Sequence, residues 1–347
     1  MLRCFISGSN RYSHDPGFHL NRFSSDFLQR DQTIDRNHQL YQMSMSNDIV
    51  SHSKLRKRHK VKGQLASADY LAFFPGDGQS ELVVSEHKGG RIIAFRNDSK
   101  TGQELIAGIK PYGVACLDAS RVVLVDENVG GDKSLIKILS IGDDAGPGGS
   151  VVAEWSNNSN NWQPRGIAVT KSGQIVVTNI HPDAEERFWI YSADGQESMS
   201  FGRAQGPADL VFRSPSYVAS DEFGRILASD TDGNCVKTFD SRCRYVAEFG
   251  NTTGGGDLAT EKDRRLSRPM GLVCDSRGNV IVCDSGNRRL AMFAPDGRFL
   301  QTLRQPQKTG LNPVDVAMNS SSDRLVFSVH DRSDGFWKLV SYHYACN

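Results

Sequence analysis

Arginine, tyrosine and asparagine side chains recur beside the prolines and in the polar turns of this chain. Arg165 and Tyr112 each follow a proline, and Asn287 precedes Arg288 in a polar turn. Such side chains contact phosphates, stack on bases and hydrogen-bond to base edges, as in proteins that bind single-stranded or looped RNA. The candidate residues for RNA or partner binding are Tyr112, Arg165, Tyr217, Arg268, Met270, Asn287 and Arg288.

Acidic residues in similar turns oppose this interpretation, because they would repel phosphate. They are Asp126, Glu127, Asp183, Glu185, Glu186 and Asp331. A protein ligand therefore stays open as the alternative partner. Glu86, Asp126, Asp230 and Asp284 share one position at the ends of apolar runs, and we expect them to bond the backbone of the following loop. Asn287 and Arg288 belong to a repeated pattern, so a role in stapling the repeat is the alternative to ligand contact.

An enzymatic function would require a constellation of reactive groups. His87, His181 and His330 lie in similar loops, and as metal ligands they would suit a metal-dependent hydrolase or lyase. They lack a repeated acidic partner, and the sequence has no GxSxG, HExxH, Walker loop or dinucleotide-binding glycine pattern in a suitable setting. The sequence therefore predicts no catalytic residue, no metal site and no cofactor.

The overall charge excludes attraction of the whole chain to a polyanion. The 41 basic residues are offset by 40 acidic residues, so the net charge is +1 and any nucleic-acid site must be a local patch. No apolar run is long enough to span a membrane, and the apolar stretch at the start is too short for a signal peptide. We expect a cytoplasmic protein with neither DNA nor a membrane as partner.

Seven cysteines occur without a CxxC pair. Reduced thiols are favoured, although Cys274 and Cys283 would face each other across a hairpin, where a disulfide is conceivable.

An internal repeat must position these side chains. The clearest copies are PMGLVCDSRGNVIVCDSGNRRLAMFAPDGRFLQTL, from Pro269, and PSYVASDEFGRILASDTDGNCVKTFDSRCRYVAEFG, from Pro215. Further copies begin at Pro164, Pro111 and Pro313, and a sixth copy without the proline begins at Asp69. Each copy alternates apolar runs with Gly or Asp turns, which predicts four short strands, the blade of a β-propeller.

The sequence thus predicts an all-β, six-bladed β-propeller over 54–347, preceded by a disordered polar extension over 1–53. The predicted blades span about 69–108, 109–155, 162–202, 213–250, 267–304 and 311–344. Because the sixth blade lacks a fourth strand, we expect residues near 59–65 to supply it. The basic run that begins at Lys54 has two interpretations: a nuclear-localisation or nucleic-acid patch, or a solvated linker whose edge strand is protected by lysines. The second is favoured.

The strings PMGLVCDSRGNVIVCDSGNRRLAMF and PRGIAVTKSGQIVVTN resemble the NHL repeat. Six such units after a basic linker are similar to the C-terminal NHL domain of TRIM-NHL proteins. The resemblance implies a recognition propeller for mRNA or protein partners, in a family whose RING, B-box and coiled coil supply ubiquitin-ligase activity. No RING or B-box spacing occurs in this sequence, so the alternative to RNA binding is a protein-interaction module that selects substrates for such a ligase.

Overall fold

The computed structural model describes residues 54–62, 65–75, 81–96, 101–127, 133–141, 148–157, 159–202, 211–251, 264–304, 311–332 and 335–345. The predicted disordered extension, 1–53, lies outside these residues. The predicted all-β, six-bladed propeller is confirmed, because the strands form six antiparallel sheets of four strands each.

The strands follow the apolar runs of the repeat. Blade one contains β2 (Tyr70–Phe73), β3 (Leu82–Glu86), β4 (Arg91–Phe95) and β5 (Gln103–Ala107), and blade two contains β6 (Pro111–Cys116), β7 (Arg121–Asp126), β8 (Leu135–Ser140) and β9 (Ser150–Trp155). Blade three contains β10 (Pro164–Val169), β11 (Ile175–Asn179), β12 (Glu186–Tyr191) and β13 (Glu197–Gly202), and blade four contains β14 (Pro215–Ser220), β15 (Ile226–Asp230), β16 (Cys235–Phe239) and β17 (Tyr245–Phe249). Blade five contains β18 (Pro269–Cys274), β19 (Val280–Asp284), β20 (Arg289–Phe293) and β21 (Phe299–Arg304).

Blade six joins two distant parts of the chain. It contains β22 (Leu311–Met318), β23 (Arg324–Asp331) and β24 (Trp337–Ala345), and its fourth strand is β1 (Lys54–Lys62), paired antiparallel with β24. This closing strand, expected near 59–65, begins five residues earlier in the structure. The innermost strands contact one another in ring order, and β22 contacts β2. The ring is therefore closed both at its centre and within blade six.

Burial between neighbouring blades explains why the inner strands lack a polar face. All five residues of β19 are buried, as are those of β15. Between blades five and six, Ile281 and Met292 pack with Phe327 and Tyr342 in one cluster. A strand covered on both faces must be apolar on both, which matches the nearly continuous apolar runs of the repeat.

The glycine of each Pro-x-Gly sequence marks the closest approach of neighbouring blades. A Cβ on Gly113 would lie 2.6 Å from the carbonyl oxygen of Arg165, and one on Gly166 would lie 2.8 Å from that of Ser216. On Gly271 it would overlap the Asp315 carboxyl group and lie 2.6 Å from the Asp315 Cα. In these three blades only glycine leaves room for the backbone of the next blade at this position.

The cysteines of blade five are free thiols. Cys274 pairs with Val280 and Cys283 with Leu290, so the two sulfurs do not face each other across the hairpin as the sequence suggested. Burial raises the pKa of Cys283 well above its ordinary value. Both residues therefore serve as small apolar fillers.

Candidate functional site

The candidate surface is the top face, which we define as the face with the loops that enter the first strand of each blade and those that join the second and third strands. In the described parts of the latter loops, four residues at or near the start of the third strand are left-handed: Gly90 (φ 70°), Asn234 (φ 58°), Arg288 (φ 56°) and Gly335 (φ 70°). Glycine and asparagine tolerate this conformation, whereas other residues lose about 1–2 kcal/mol. The turn therefore does not explain why arginine occupies position 288.

A buried carboxylate at the end of the second strand ties together the two top loops of its blade. Asp284 is fully buried and accepts hydrogen bonds from the Ser267 N–H at 2.7 Å, the Asn287 amide at 2.8 Å and the Arg289 guanidinium at 2.7 Å. Asp126 likewise accepts the Lys110 N–H at 2.9 Å. The Ser267 and Lys110 N–H groups lie in the loop before the first strand, whereas the sequence predicted bonds to the backbone of the following loop; for Asp284 that loop contributes the Asn287 side chain.

In several blades a basic residue within the first three positions of the third strand neutralises this carboxylate. Arg289 pairs with Asp284 at 2.7 Å and Lys137 pairs with Asp126 at 2.8 Å, while Arg91 pairs with Glu86. These ion pairs are internal to the blade. The cations that can attract a ligand are therefore found elsewhere in the top loops.

Three arginines meet in a cavity of about 390 Å³ between blades five and six, which we call the arginine pocket. Its lining residues within the described part of the chain are Arg268, Ser285, Gly286, Arg288, Asn312 and Arg332, and none of these six is a carboxylate. Arg268 lies 3.8 Å from Asp232, and both side chains are more than half exposed. Among the described residues, neither Arg288 nor Arg332 forms an ion pair. Positive charge is thus concentrated, with little compensation, in one concave site.

Arg268 and Arg288 were predicted from the sequence, whereas Arg332 and Asn312 were not. Both of the latter hold positions equivalent to those already considered: Arg332 follows the second strand of its blade, and Asn312, near the start of β22, precedes Pro313 as Arg268 precedes Pro269. The signal was therefore present in the repeat register. Arg268 also has a left-handed backbone (φ 47°), and its N–H donates to Asn234 at 2.8 Å.

Tyr112 and Arg165 lie together at the mouth of the central channel. The Arg165 guanidinium carbon is 3.8 Å from the centre of the Tyr112 ring, and the His87 ring stacks on Tyr112 at 4.2 Å with an interplanar angle of 10°. Because both groups lie so close to one ring centre, they occupy its opposite faces. Neither face of Tyr112 is open to a base, because Arg165 covers one face and His87 covers the other. All three residues are partly buried.

Tyr217 takes part in closing the central channel and is not exposed. It stacks on Tyr70 of the opposite blade, with ring centres 4.4 Å apart, and each hydroxyl group donates across the channel: Tyr70 to the Ser216 carbonyl at 2.8 Å and Tyr217 to the Asp69 carbonyl at 3.1 Å. Tyr217 was a candidate for stacking on a base. With 6% of its surface exposed, it fills the channel instead.

The remaining two candidates have structural contacts. Met270 is partly buried and packs against core clusters of the neighbouring blades. Asn287 is exposed, but its amide donates to Asp284 at 2.8 Å and to the Arg265 carbonyl at 3.0 Å. Asn287 therefore links, by hydrogen bonds, the loops that carry Arg268 and Arg288.

Asp315 lies buried beside the tyrosine pair and should make stability depend on pH. Burial raises the pKa of its carboxyl group well above the ordinary value, and the charge of Asp69 adds to this effect. The folded state then holds a proton that the unfolded state loses above about pH 4, so the free energy of unfolding falls as pH rises through this window. We expect Asp315→Asn to flatten that slope, because asparagine is neutral and its oxygen can still accept the Leu71 N–H. Urea denaturation of both proteins from about pH 4 to 8 measures it, and parallel slopes would contradict the assignment.

The top face is electrically asymmetric. Asp183 and Glu185 lie in the loop of blade three and Glu186 begins β12 directly after it, where burial and the charge of Glu185 raise the pKa of Glu186. The arginine pocket lies on blades five and six. A polyanion would therefore be held on one side of the ring and repelled from the other.

The histidines considered as metal ligands are dispersed. His87 stacks on Tyr112, whereas His330 lies 5.0 Å from Trp337 between ring centres. Throughout the described part of the chain, no three His, Cys, Asp or Glu side chains are grouped so that they could hold a metal ion. A search of the same residues for a helix long and apolar enough to cross a membrane finds none.

Comparison with known proteins places the chain near the TRIM-NHL proteins. E3 ubiquitin-protein ligase TRIM32 of Mus musculus is 24% identical over 282 residues, which cover 76% of this chain and 40% of that protein. Protein lin-41 of Caenorhabditis elegans is 28% identical over 34% of this chain and 11% of its own length, and Protein brain tumor of Drosophila melanogaster is 27% identical over 40% and 12%. The chain thus spans less than half the length of these relatives. No protein-family model matches it.

Solved structures share the fold at low identity. A gluconolactonase from Xanthomonas campestris aligns with a TM-score of 0.56 and 15% identity, over 84% of this chain and 96% of that one. A streptogramin B lyase aligns with a TM-score of 0.53 and 14% identity, over 86% and 100%. The resemblance to TRIM-NHL proteins stated from the repeats is confirmed by the sequence relatives, which are members of that family.

Proposed function

We propose that this TRIM-NHL-like propeller is a non-catalytic recognition domain that binds RNA, such as single-stranded or stem-loop mRNA elements, through the arginine pocket of its top face. The observation that carries the proposal is the convergence of Arg268, Arg288 and Arg332 in one cavity, whose described lining residues include no carboxylate. Guanidinium groups make charge-assisted, often bidentate hydrogen bonds to phosphate oxygens. Post-transcriptional regulation in the cytoplasm is the corresponding cellular role.

The backbone at Arg288 adds independent support. Equivalent turns use glycine or asparagine at the left-handed position, so arginine is kept there at a cost in stability. Local strain that the fold does not require is characteristic of functional sites. Ligand binding by Arg288 would explain why arginine occupies this strained position.

A protein partner is the second candidate, favoured by apolar side chains on the rim of blades two to four. The exposed apolar residues on their outer strands are Val151, Val152, Met199, Tyr245 and Val246. Together with the acidic loop of blade three, this side of the ring suits a protein surface better than a polyanion. In that role the domain would select substrates for a RING-type ubiquitin ligase.

Arg288→Asn tests the RNA proposal without threatening the fold. Asparagine relieves the strained turn, so we expect unfolding to occur at equal or higher urea concentration than in the wild type. RNA affinity should fall, and the slope of log Kd against log salt should decrease by about 0.7 for each phosphate that the variant no longer neutralises. Fluorescence anisotropy with random-sequence single-stranded RNA over a series of salt concentrations measures both quantities.

The matched control is Arg298→Gln, which removes an exposed cation from a turn of blade five that opens on the opposite face. It should bind RNA as the wild type does. Equal affinity of Arg288→Asn and the wild type would contradict the site. If the full chain selects no RNA from a random pool at low salt, the RNA proposal fails and the protein partner takes its place.

A further inference from the structure

The outermost strands of the six blades differ in charge. Strand β1 carries six basic residues and no acidic one: Lys54, Arg56, Lys57, Arg58, Lys60 and Lys62. The other five outer strands, β5, β9, β13, β17 and β21, carry one basic residue between them, Arg304. Each outer strand of blades one to four carries a glutamate, and β21 has none.

Protection of a sheet edge does not account for this concentration. Lysines on edge strands discourage pairing with other chains, and β1 is the edge strand of its sheet. The other five blades present equivalent edges, and four of them have no cation at all. A requirement common to all edges would not place six cations on one of them.

The fold brings β1 next to the arginine pocket. The end of β1 at Lys62 pairs with Lys338, near the start of β24, and the loop that leads into β24 carries Arg332. Strand β1 also contacts β21 of blade five, which ends at Arg304. The pocket on the top face and the basic strand on the outer edge therefore belong to one sector of the ring, formed by blades five and six.

We infer that β1 is a second phosphate-binding element, along which an RNA that occupies the arginine pocket continues down the outer edge of blade six. The strand is about 30 Å long, so it adds contacts only for RNA that extends beyond the pocket. These contacts are to the phosphate backbone and carry no sequence information. The inference rests on the proposed function of the pocket. It adds the path of the bound RNA, from the top face along the outer edge of blade six.

RNA length distinguishes the two sites. The probes are single-stranded RNAs of about five and about 20 nucleotides, titrated into the full chain by fluorescence anisotropy at several salt concentrations. One variant changes all six basic residues of β1 to threonine, which keeps a high strand propensity. The control variant changes the four lysines of β1 to arginine and so keeps the charge.

We expect the threonine variant to bind the short RNA as the wild type does. Its affinity for the long RNA should fall to near that for the short one, and its salt slope should decrease by about 0.7 for each phosphate that β1 no longer neutralises, whereas the arginine variant should match the wild type. Loss of short and long RNA binding in equal measure, or of neither, overturns the inference. Absence of binding to either RNA by the wild type refutes the proposed function itself.

Photocrosslinking of the wild type tests the inference independently of whether the threonine variant folds. With a photoreactive nucleotide at each end of the long RNA, one end should crosslink to peptides that contain residues 54–62. Crosslinks confined to the top-face loops would overturn the inference. Vesicles rich in anionic lipid serve as competitors at the same total charge as the long RNA. If they displace the RNA from β1 as well as the same RNA without a label does, the inference is overturned in favour of a membrane surface.

Discussion

Replacing Asp284 with alanine is expected to lower the free energy of unfolding by about 3–5 kcal/mol, because it leaves a buried guanidinium without its carboxylate. Arg289 is 6% exposed and its Nε lies 2.7 Å from Asp284. The Ser267 N–H and the Asn287 amide lose an acceptor at the same time. Urea denaturation of the full chain measures the destabilisation.

The control for Asp284→Ala is Glu222→Ala. Glu222 forms an ion pair with Lys171 at 2.8 Å, but both side chains are at least 60% exposed, so little or no change in stability is expected. A destabilisation below about 1 kcal/mol for Asp284→Ala would show that the three donors find other acceptors. RNA affinity should fall as well, because Asp284 holds the loop before Arg268.

Gly271→Ala is expected to force blades five and six apart. The new Cβ would overlap the Asp315 carboxyl group and lie 2.6 Å from its Cα, and backbone gives way less easily than a side chain. Overpacking of this kind costs about 1–3 kcal/mol and occasionally more, and we expect the upper part of that range. Because the arginine pocket is lined from both blades, its affinity for RNA should fall with the stability.

A double-mutant cycle with Asp315→Ala tests the cause. Removing the Asp315 carboxyl group relieves the side-chain overlap but not the contact with its Cα, so Gly271→Ala should cost less in that background yet remain destabilising. Strict additivity of the two changes would show that the alanine does not meet Asp315.

The repeat made most of the fold predictable because its signals are local. The clearest copies carry a proline, a glycine two residues later and a turn glycine, as in Pro269, Gly271 and Gly278, and the weaker copies keep part of this pattern within a few dozen residues. What escaped prediction depends on distant parts of the chain. Tyr217 occupies the position that is glycine in three other blades, and only the ring brings it against Tyr70.

The candidate site was predictable in part for the same reason. Arg268 and Arg288 stood out by residue type, but the pocket exists only because their loops meet Asn312 and Arg332 of the next blade. The carboxylates at the ends of the second strands have the structural role that the sequence predicted. Their backbone partners were predicted in the wrong loop, because antiparallel pairing of the first two strands brings the loop before the first strand next to the end of the second. The ion pair between Arg289 and Asp284 could not be predicted either, because it forms only when the third strand pairs with the second.

The pairing of β1 with β24 has a consequence for the order of folding. On the ribosome, β1 emerges first among the described strands and β24 emerges last, so blades one to five can assemble while the closing sheet still lacks a partner. Joining these two strands closes a loop of nearly the whole described chain, which slows the step. Until then the basic strand is an unpaired nascent segment, and any polyanion that captures it competes with completion of the ring.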